Sequence, residues 1–404
     1  MAPPRIPPKV MPEGVPERVP LVPKAPPTPA PAALPLRQKA PPWRRALRSD
    51  RPAATRELAA ALFAARPSVV VDGQVQADLR AGLLALRIES RVEGMARCEA
   101  TFAAWGDQGL RWHDRSVLDF GKALRITLGE DVLFDGRISG LEAGFPADGQ
   151  PTVMALAEDR LQDLRMTRRN RSFQDVTDGD VVQRIASEHG LQPDIDLPGP
   201  TYRVLVQADR SDLAFLYDRA RACGGEIWVE GTTLKARQRP QRAAAPLRLR
   251  LYQGLRSFTV LADLAGQRTA LTATGWNERA GTELRQDVGD SVLGAELGSD
   301  SSGAAILNSA FGSREERLAE AGPTGDEVRA RAEADYLRAA RRFLTGRASA
   351  DTDARLRVGA AVSLDGVGPI FSGKYTVVEV VHLFDGASGL RSELVVERPG
   401  IGRP

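Results

Sequence analysis

Apolar and polar residues alternate with a period of two along three stretches of the chain. Leu84, Leu86 and Ile88 are separated by Ala85 and Arg87. Ala96, Cys98, Ala100 and Phe102 are separated by Arg97, Glu99 and Thr101, and Leu124, Ile126 and Leu128 repeat the pattern. Successive side chains of a strand point to opposite faces, so this spacing predicts strands with one buried face. Apolar runs at 69–71, 132–134 and 152–157 add three more. Turn signals at Gly129-Glu130-Asp131, Asp135-Gly136 and 146–149 separate them. Five or six short antiparallel strands over residues 67–170 predict a barrel or a sandwich.

At residue 171 the period lengthens to three and four. Thr177 with Asp180 three residues on has the form of a capping box, with Asp in place of Glu or Gln. Val182, Ile185, Ala186 and His189 share one side of the helix that follows, and Gly190 ends it. A second helix starts near Ser211 and Asp212, with Leu213, Leu216, Tyr217, Ala220 and Cys223 on its apolar side. Ile227 to Val229 and Leu234 then form a hairpin around Gly231. Residues 171–243 therefore read as a small α/β helical unit. Residues 244–404 return to β patterning, with Leu247, Leu249 and Leu251 alternating with Arg248 and Arg250, and further strands at 257–261 and 268–274. Between 275 and 325 Gly, Ser, Asp and Glu dominate, which predicts a long, loosely structured excursion. Val328, Ala332, Tyr336, Leu337, Ala340 and Phe343 mark a helix over 326–344. Strands at 356–364, 375–381 and 390–396 follow, the last two joined by a turn at 385–389.

Composition changes the picture at the N-terminus. Residues 1–46 hold 15 of the 28 prolines. Proline lacks an N–H and fixes φ, so residues 1–66 are expected to be an extended arm, with a short helix over 49–65. The arm carries 12 Lys and Arg against 4 Asp and Glu, whereas the rest of the chain carries 43 against 48. A basic arm on a mildly acidic body points to an acidic docking partner or to a solvated tail. No apolar run is long enough to span a bilayer and no apolar h-region follows the N-terminal basic residues. Synthesis in the cytoplasm, with no signal peptide and no membrane insertion, is expected. Cys98 and Cys223 both fall on apolar faces and read as buried thiols.

The chemistry-bearing residues do not assemble into a catalytic pattern. His113, His189 and His382 are far apart, with no second ligand at metal spacing. Gly373-Lys374 is followed by Tyr375 and is no P-loop, and no Gly-x-Ser-x-Gly elbow occurs. Glu158-Asp159 and Asp178 with Asp180 read as turn and cap residues. No enzymatic activity and no cofactor or metal are expected. Two features suit an interface. Arg165, Arg168, Arg169 and Arg171 form a dense basic run, open to a solvated, a lumen-lining, a subunit-pairing or a phosphate-binding role. Trp276 opens the excursion as a candidate anchor, whereas Trp228 reads as core and Trp105 and Trp112 flank a loop.

A resemblance rests on an ordered set of residues: Phe173-Gln174-Asp175, Asp180-Val181-Val182, Ile185-Ala186, His189-Gly190-Leu191, Gln207, Ser211-Asp212-Leu213, Phe215-Leu216 and Gly225-Glu226. Gly373-Lys374-Tyr375, Val377, Val381-His382, Phe384, Gly389 and Glu393 extend it to the C-terminal strands. The set resembles the phage late control D family, the baseplate hub proteins of contractile tails and related injection systems. The resemblance implies a mainly β fold with some α: two tail-tube-like antiparallel β-barrels, at 67–170 and 244–404, joined by the helical unit. It further implies a structural homotrimer linking a sixfold tail tube to a threefold spike, within a virion tail or injection particle. Its partners would be itself, the spike protein, the tube protein and, through the arm, other baseplate proteins, with no nucleic acid required. Asp178-Gly179-Asp180 with His189-Gly190 also resembles the first half of a LysM module, which implies a peptidoglycan-binding adaptor. Against that, the second helix begins some twenty residues after the first ends.

Overall fold

The computed structural model describes residues 66–402 apart from 107–108, 113, 243–244 and 320–321, so the arm and the helix expected over 49–65 lie outside the described residues. The first strands are β1 (Ser68–Val71), β2 (Gln74–Val75), β3 (Leu83–Arg91) and β4 (Arg97–Ala103), with a short helix α1 (Ala77–Gly82) before β3. The hairpin β5 (Trp105–Gly106) and β6 (Gly109–Leu110) precedes β7 (Ala123–Leu128), β8 (Asp131–Gly144) and β9 (Thr152–Glu158). They pair antiparallel in the order β2-β1-β7-β8-β9-β4-β3. Most of the period-two residues supply the core: Leu86, Ile88, Cys98, Ala100, Phe102, Leu124 and Ile126 are buried, whereas Leu84 is exposed where the β3–β4 register shifts between Leu83 and Ala85. Each fully buried large apolar side chain contributes about 1.5–3 kcal/mol.

The helical unit contains α2 (Leu161–Arg165), β10 (Arg168–Val176), α3 (Asp178–Glu188), β11 (Gln192–Asp196), β12 (Tyr202–Ser211), α4 (Asp212–Ala222), β13 (Gly225–Glu230), β14 (Thr233–Gln238) and the single turn α5 (Arg239–Arg242). Both halves of the predicted capping box form: Thr177 Oγ1 accepts the Asp180 N–H, and Asp180 accepts the Thr177 N–H at 2.9 Å. The helices are delivered by strands rather than loops. β10 leads into α3, β12 leads into α4, and the two strands pair antiparallel as a ribbon. Phe173 of β10 stacks on Phe215 of α4 with ring centroids 5.8 Å apart. The hairpin turns at Gly231 as read, with φ at +58°, and β14 also pairs parallel with β11.

The remaining elements are β15 (Leu247–Leu251), β16 (Gly254–Ala262), β17 (Ala270–Asn277), β18 (Thr282–Val288), a 3-10 turn (Asp290–Glu296), β19 (Ser301–Ser302), α6 (Gly303–Phe311), β20 (Glu315–Leu318), α7 (Gly325–Arg341), β21 (Leu344–Asp351), β22 (Ala361–Asp365), β23 (Gly373–Asp385), β24 (Gly389–Arg398) and β25 (Gly400–Ile401). β23-β22-β15-β16-β21-β24 closes into a six-stranded ring through the β23–β24 pairing. β15 runs parallel to both of its neighbours, so this barrel is not wholly antiparallel. No second ring closes among the described residues. β1 pairs with β2 and β7, β3 with β4 and β23, and the N-terminal sheet merges into the barrel along β3–β23. β23 thus feeds two cores, with Val377 and Val380 in the barrel core and Phe384 in the N-terminal core.

The described residues of the 275–325 excursion form strands and a helix, which corrects the sequence reading. β17 lies between β18 and β20, and α7 packs across the sheet through Val328, Ala332, Tyr336 and Ala340 against Leu271, Ala273 and Val288. So few apolar residues serve this small core that the surrounding Gly, Ser and Glu mask their signal. Gly275 permits the close approach of α7: a Cβ there would lie 2.7 Å from Val328 Cγ2 and closer still to the Gly322 carbonyl oxygen. Gly275→Ala is expected to destabilise by about 1–3 kcal/mol in chemical denaturation. Gly266→Ala, where a Cβ meets open space, should leave stability unchanged.

Candidate functional site

Three of the predicted arginines lie on the β10–β12 ribbon, and two of them converge on one carboxylate. Asp212, 1% exposed at the start of α4, accepts from Arg169 Nε at 3.1 Å, Arg171 Nη2 at 2.7 Å and Gln207 Nε2 at 2.9 Å, and lies 2.8 Å from His189 Nε2. Arg171 also reaches Gln207 Oε1 at 2.8 Å and Glu188 at 2.5 Å. Burial alone would raise the Asp212 carboxyl, but hydrogen bonds from His189 and Gln207 and the Arg171 and Arg169 charges hold it below its usual value. The cluster ties β10, β12, α3 and α4 together. His189 is the C-cap of α3, immediately before Gly190, and its ring is engaged with Asp212. Sequence reading registered Asp212 only as a helix start.

The other predicted arginines remain outward. Arg165 lies 3.7 Å from Glu158 and is 53% exposed, and Arg168 lies 3.2 Å from Asp209 and is 70% exposed. Trp276 stands apart from all four, on β17, exposed and directly across from Glu283 of β18. Trp228 is half-buried, with Nε1 donating to Glu230 at 3.0 Å and the Arg242 guanidinium 4.1 Å from its ring centroid.

A second polar cluster joins the helical unit to the barrel. Buried Glu226 on β13 accepts from Arg239 Nε at 2.7 Å and Arg242 Nη1 at 2.9 Å, and Arg239 Nη1 reaches Glu397 of β24 at 2.8 Å. The Tyr217 hydroxyl donates to the Gly94 carbonyl at 3.0 Å, anchoring α4 to the β3–β4 turn. Beside this junction a cavity of about 610 Å³ is lined by Asp159, Trp228, Glu230, Arg242, Arg357 and His382 among others. Asp159 accepts the Ala96 and Leu161 N–H groups at 2.7 and 2.9 Å, and burial pushes its carboxyl up to about 7.

His382, one residue past the strand read at 375–381, lies inside β23 and is 4% exposed. Its Nδ1 is 2.8 Å from Ser392 Oγ, which donates to Thr352 Oγ1 at 2.9 Å. Ser392 is fully buried, so its hydroxyl is out of reach of a substrate although His382 borders the cavity. Burial pushes the His382 ring from 6.5 down to about 4. The folded chain therefore keeps it neutral where the unfolded chain protonates it. Its stabilising contribution is complete above pH 6.5 and is lost as pH falls from 6.5 toward 4. His382→Gln should flatten the pH dependence of urea unfolding in that window, by roughly 3 kcal/mol at its acid end. Among the described residues no cluster of three or more His, Cys, Asp or Glu side chains could hold a metal, and no helix is long and apolar enough to cross a membrane.

This fold recurs among phage tail proteins. The 43 kDa tail protein of prophage MuSo2 from Shewanella oneidensis superposes with a TM-score of 0.63 at 13% identity, over 83% of this chain and 98% of that one. A tail protein from Neisseria meningitidis MC58 gives 0.61 at 12% identity, over 83% and 98%. The E. coli c3393 protein gives 0.50 at 12% identity, over 80% and 76%; it is described as a component of the type VI secretion system with structural similarity to T4 bacteriophage tail proteins gp27 and gp5. At these identities the likeness establishes a shared fold. No curated protein sequence matches. Residues 65–385 match the family model of the Alg8 N-terminal domain, and because that match spans most of the sequence, the chain belongs to the Alg8 N-terminal domain family.

Proposed function

We propose that this chain is a structural part of a phage tail or a phage-derived contractile injection particle. In this reading it is a late control D-like baseplate hub, acting as a homotrimer that connects a sixfold tail tube to a threefold spike. The observation that carries the reading is a fold shared with tail proteins along 83% of the chain. The polar clusters are consistent with it: Asp212 and Glu226 are fully engaged with arginines of the same chain, as in a scaffold that fixes its own geometry. The candidate interface residues Arg165, Arg168 and Trp276 keep exposed surface for a neighbour, whereas Arg169 and Arg171 serve mainly internally. Domain limits at 67–170, 171–243 and 244–404, with a second tube-like barrel formed from the N-terminal strands on assembly, are part of the proposal. So is threading of the basic arm along another baseplate protein.

The peptidoglycan-binding alternative draws no support from the site, because β11 and β12 intervene between α3 and α4. Light scattering on the purified chain, with and without residues 1–46, tests the reading. The expected mass is three chains for both forms. A single-chain mass with retention on peptidoglycan would replace the hub with a wall-binding adaptor.

A further inference from the structure

Two exposed surfaces lie on separate elements, the β10–β12 ribbon and the sheet around β17. The β10–β12 ribbon packs its inner face, with Phe173 and Leu205, on α4 through Phe215. The C-terminal end of α4 meets α7, where Ala334 packs against Gly224 and Arg338 Nη2 donates to the Arg221 carbonyl at 3.1 Å. The other side of α7, with Val328, Ala332 and Tyr336, covers Leu271 and Ala273 of β17. Alternation along β17 then places Trp276 on the outer face of that sheet. Contacts run from ribbon to α4, from α4 to α7 and from α7 to the sheet, so the outer faces of ribbon and sheet are two separate patches.

These two faces are chemically complementary. On the ribbon Val204 and Val206 are 49% and 62% exposed, beside Gln174 and Ser172 on the partner strand. Arg168 at the ribbon end is 70% exposed, and its carboxylate partner Asp209 is itself 74% exposed. A pair so wet contributes little to stability, so Arg168 is readily recruited elsewhere. On the sheet Trp276 is 55% exposed, and Glu283 is paired with it across the strands. An aromatic face beside a carboxylate is a seat for a guanidinium, by cation–π contact and ion pair together. Two different, complementary patches are what a head-to-tail interface requires, and such an interface closes into a ring when the rotation between copies allows it. Among the described residues no exposed aromatic accompanies the ribbon's arginines, whereas single-stranded nucleic acid would be held by stacking. The bare valines favour a protein.

We propose that copies of this chain meet head to tail, with Val204, Val206 and Arg168 of one copy docking on the Trp276–Glu283 face of the next. This rests on the trimeric hub reading and names the surfaces that would form it. Sedimentation velocity across a concentration series tests it on the full chain. Trp276→Ala and Arg168→Glu should each weaken self-association roughly 30-fold or more, the loss expected for an interface hot spot. The double variant Arg168→Glu/Glu283→Arg should recover it. Both side chains are exposed, so thermal unfolding of each variant should match the parent. A parent trimer whose variants remain equally trimeric would overturn the docking assignment and leave the hub standing. A parent that sediments as one chain would overturn both. A weakening by Arg168→Glu that salmon sperm DNA reproduces by competition would make the patch a polyanion site and overturn the assignment.

Discussion

Asp212→Ala is expected to destabilise the chain by about 3–5 kcal/mol and to release α4 from the ribbon. Asp212 is 1% exposed, and its carboxylate is the shared acceptor of Arg169, Arg171 and Gln207. Removing one partner of a buried ion pair leaves the other charge uncompensated, and that desolvation cost exceeds what the pair itself contributed. Arg171, only 19% exposed, retains Glu188 and Gln207, whereas fully buried Gln207 loses one of its two acceptors. Asp212→Asn keeps the shape and one acceptor but no charge, so an intermediate loss is expected. The carboxyl is held below its usual value, so the stabilisation it confers is present above the ordinary carboxylate range and is lost as pH falls through its folded value. Urea unfolding at pH 7 checks the magnitude. A loss under 1 kcal/mol would mean that water replaces the carboxylate at little cost.

Glu226→Ala is the second large effect, again about 3–5 kcal/mol, and it should loosen the helical unit from the barrel. Glu226 is 6% exposed and holds Arg239 and Arg242, which are 13% and 10% exposed. Burial would raise its carboxyl, but the Arg239 and Arg242 charges and hydrogen bonds outweigh that and keep it ionised. Without Glu226, Arg239 still reaches Glu397, whereas Arg242 loses its carboxylate and keeps the Trp228 ring. Amide exchange should therefore accelerate in β13 and β14 before it does in β23 or β24. Uniform acceleration of all four strands would show that the junction and the barrel open as one cooperative unit.

Local patterning carried much of the fold. The alternations at 84–88, 96–102 and 124–128 became β3, β4 and β7, and the three- and four-residue spacing after Thr177 and Ser211 became α3 and α4. The helix read over 326–344 became α7 at Gly325–Arg341, with Arg342 and Phe343 turning the chain and Leu344 starting β21. What escaped depends on distant partners. β10 and β12 are rich in arginine and expose Val204 and Val206, so neither shows a clean buried face until paired with the other. The parallel placement of β15 beside β22 joins residues more than a hundred apart, which no local spacing encodes. The same holds for the sites. Four arginines were visible as a run, but Asp212, some forty residues later, decides which of them are free to meet a neighbour.

Counting copies of this chain in purified tail or injection particles, by quantitative mass spectrometry against the spike protein, tests the central claim most directly. A threefold hub predicts one copy of this chain for each spike chain, three per particle. Particles of normal length that lack the chain, or that carry it in sixfold ratio to a spike trimer, would contradict it.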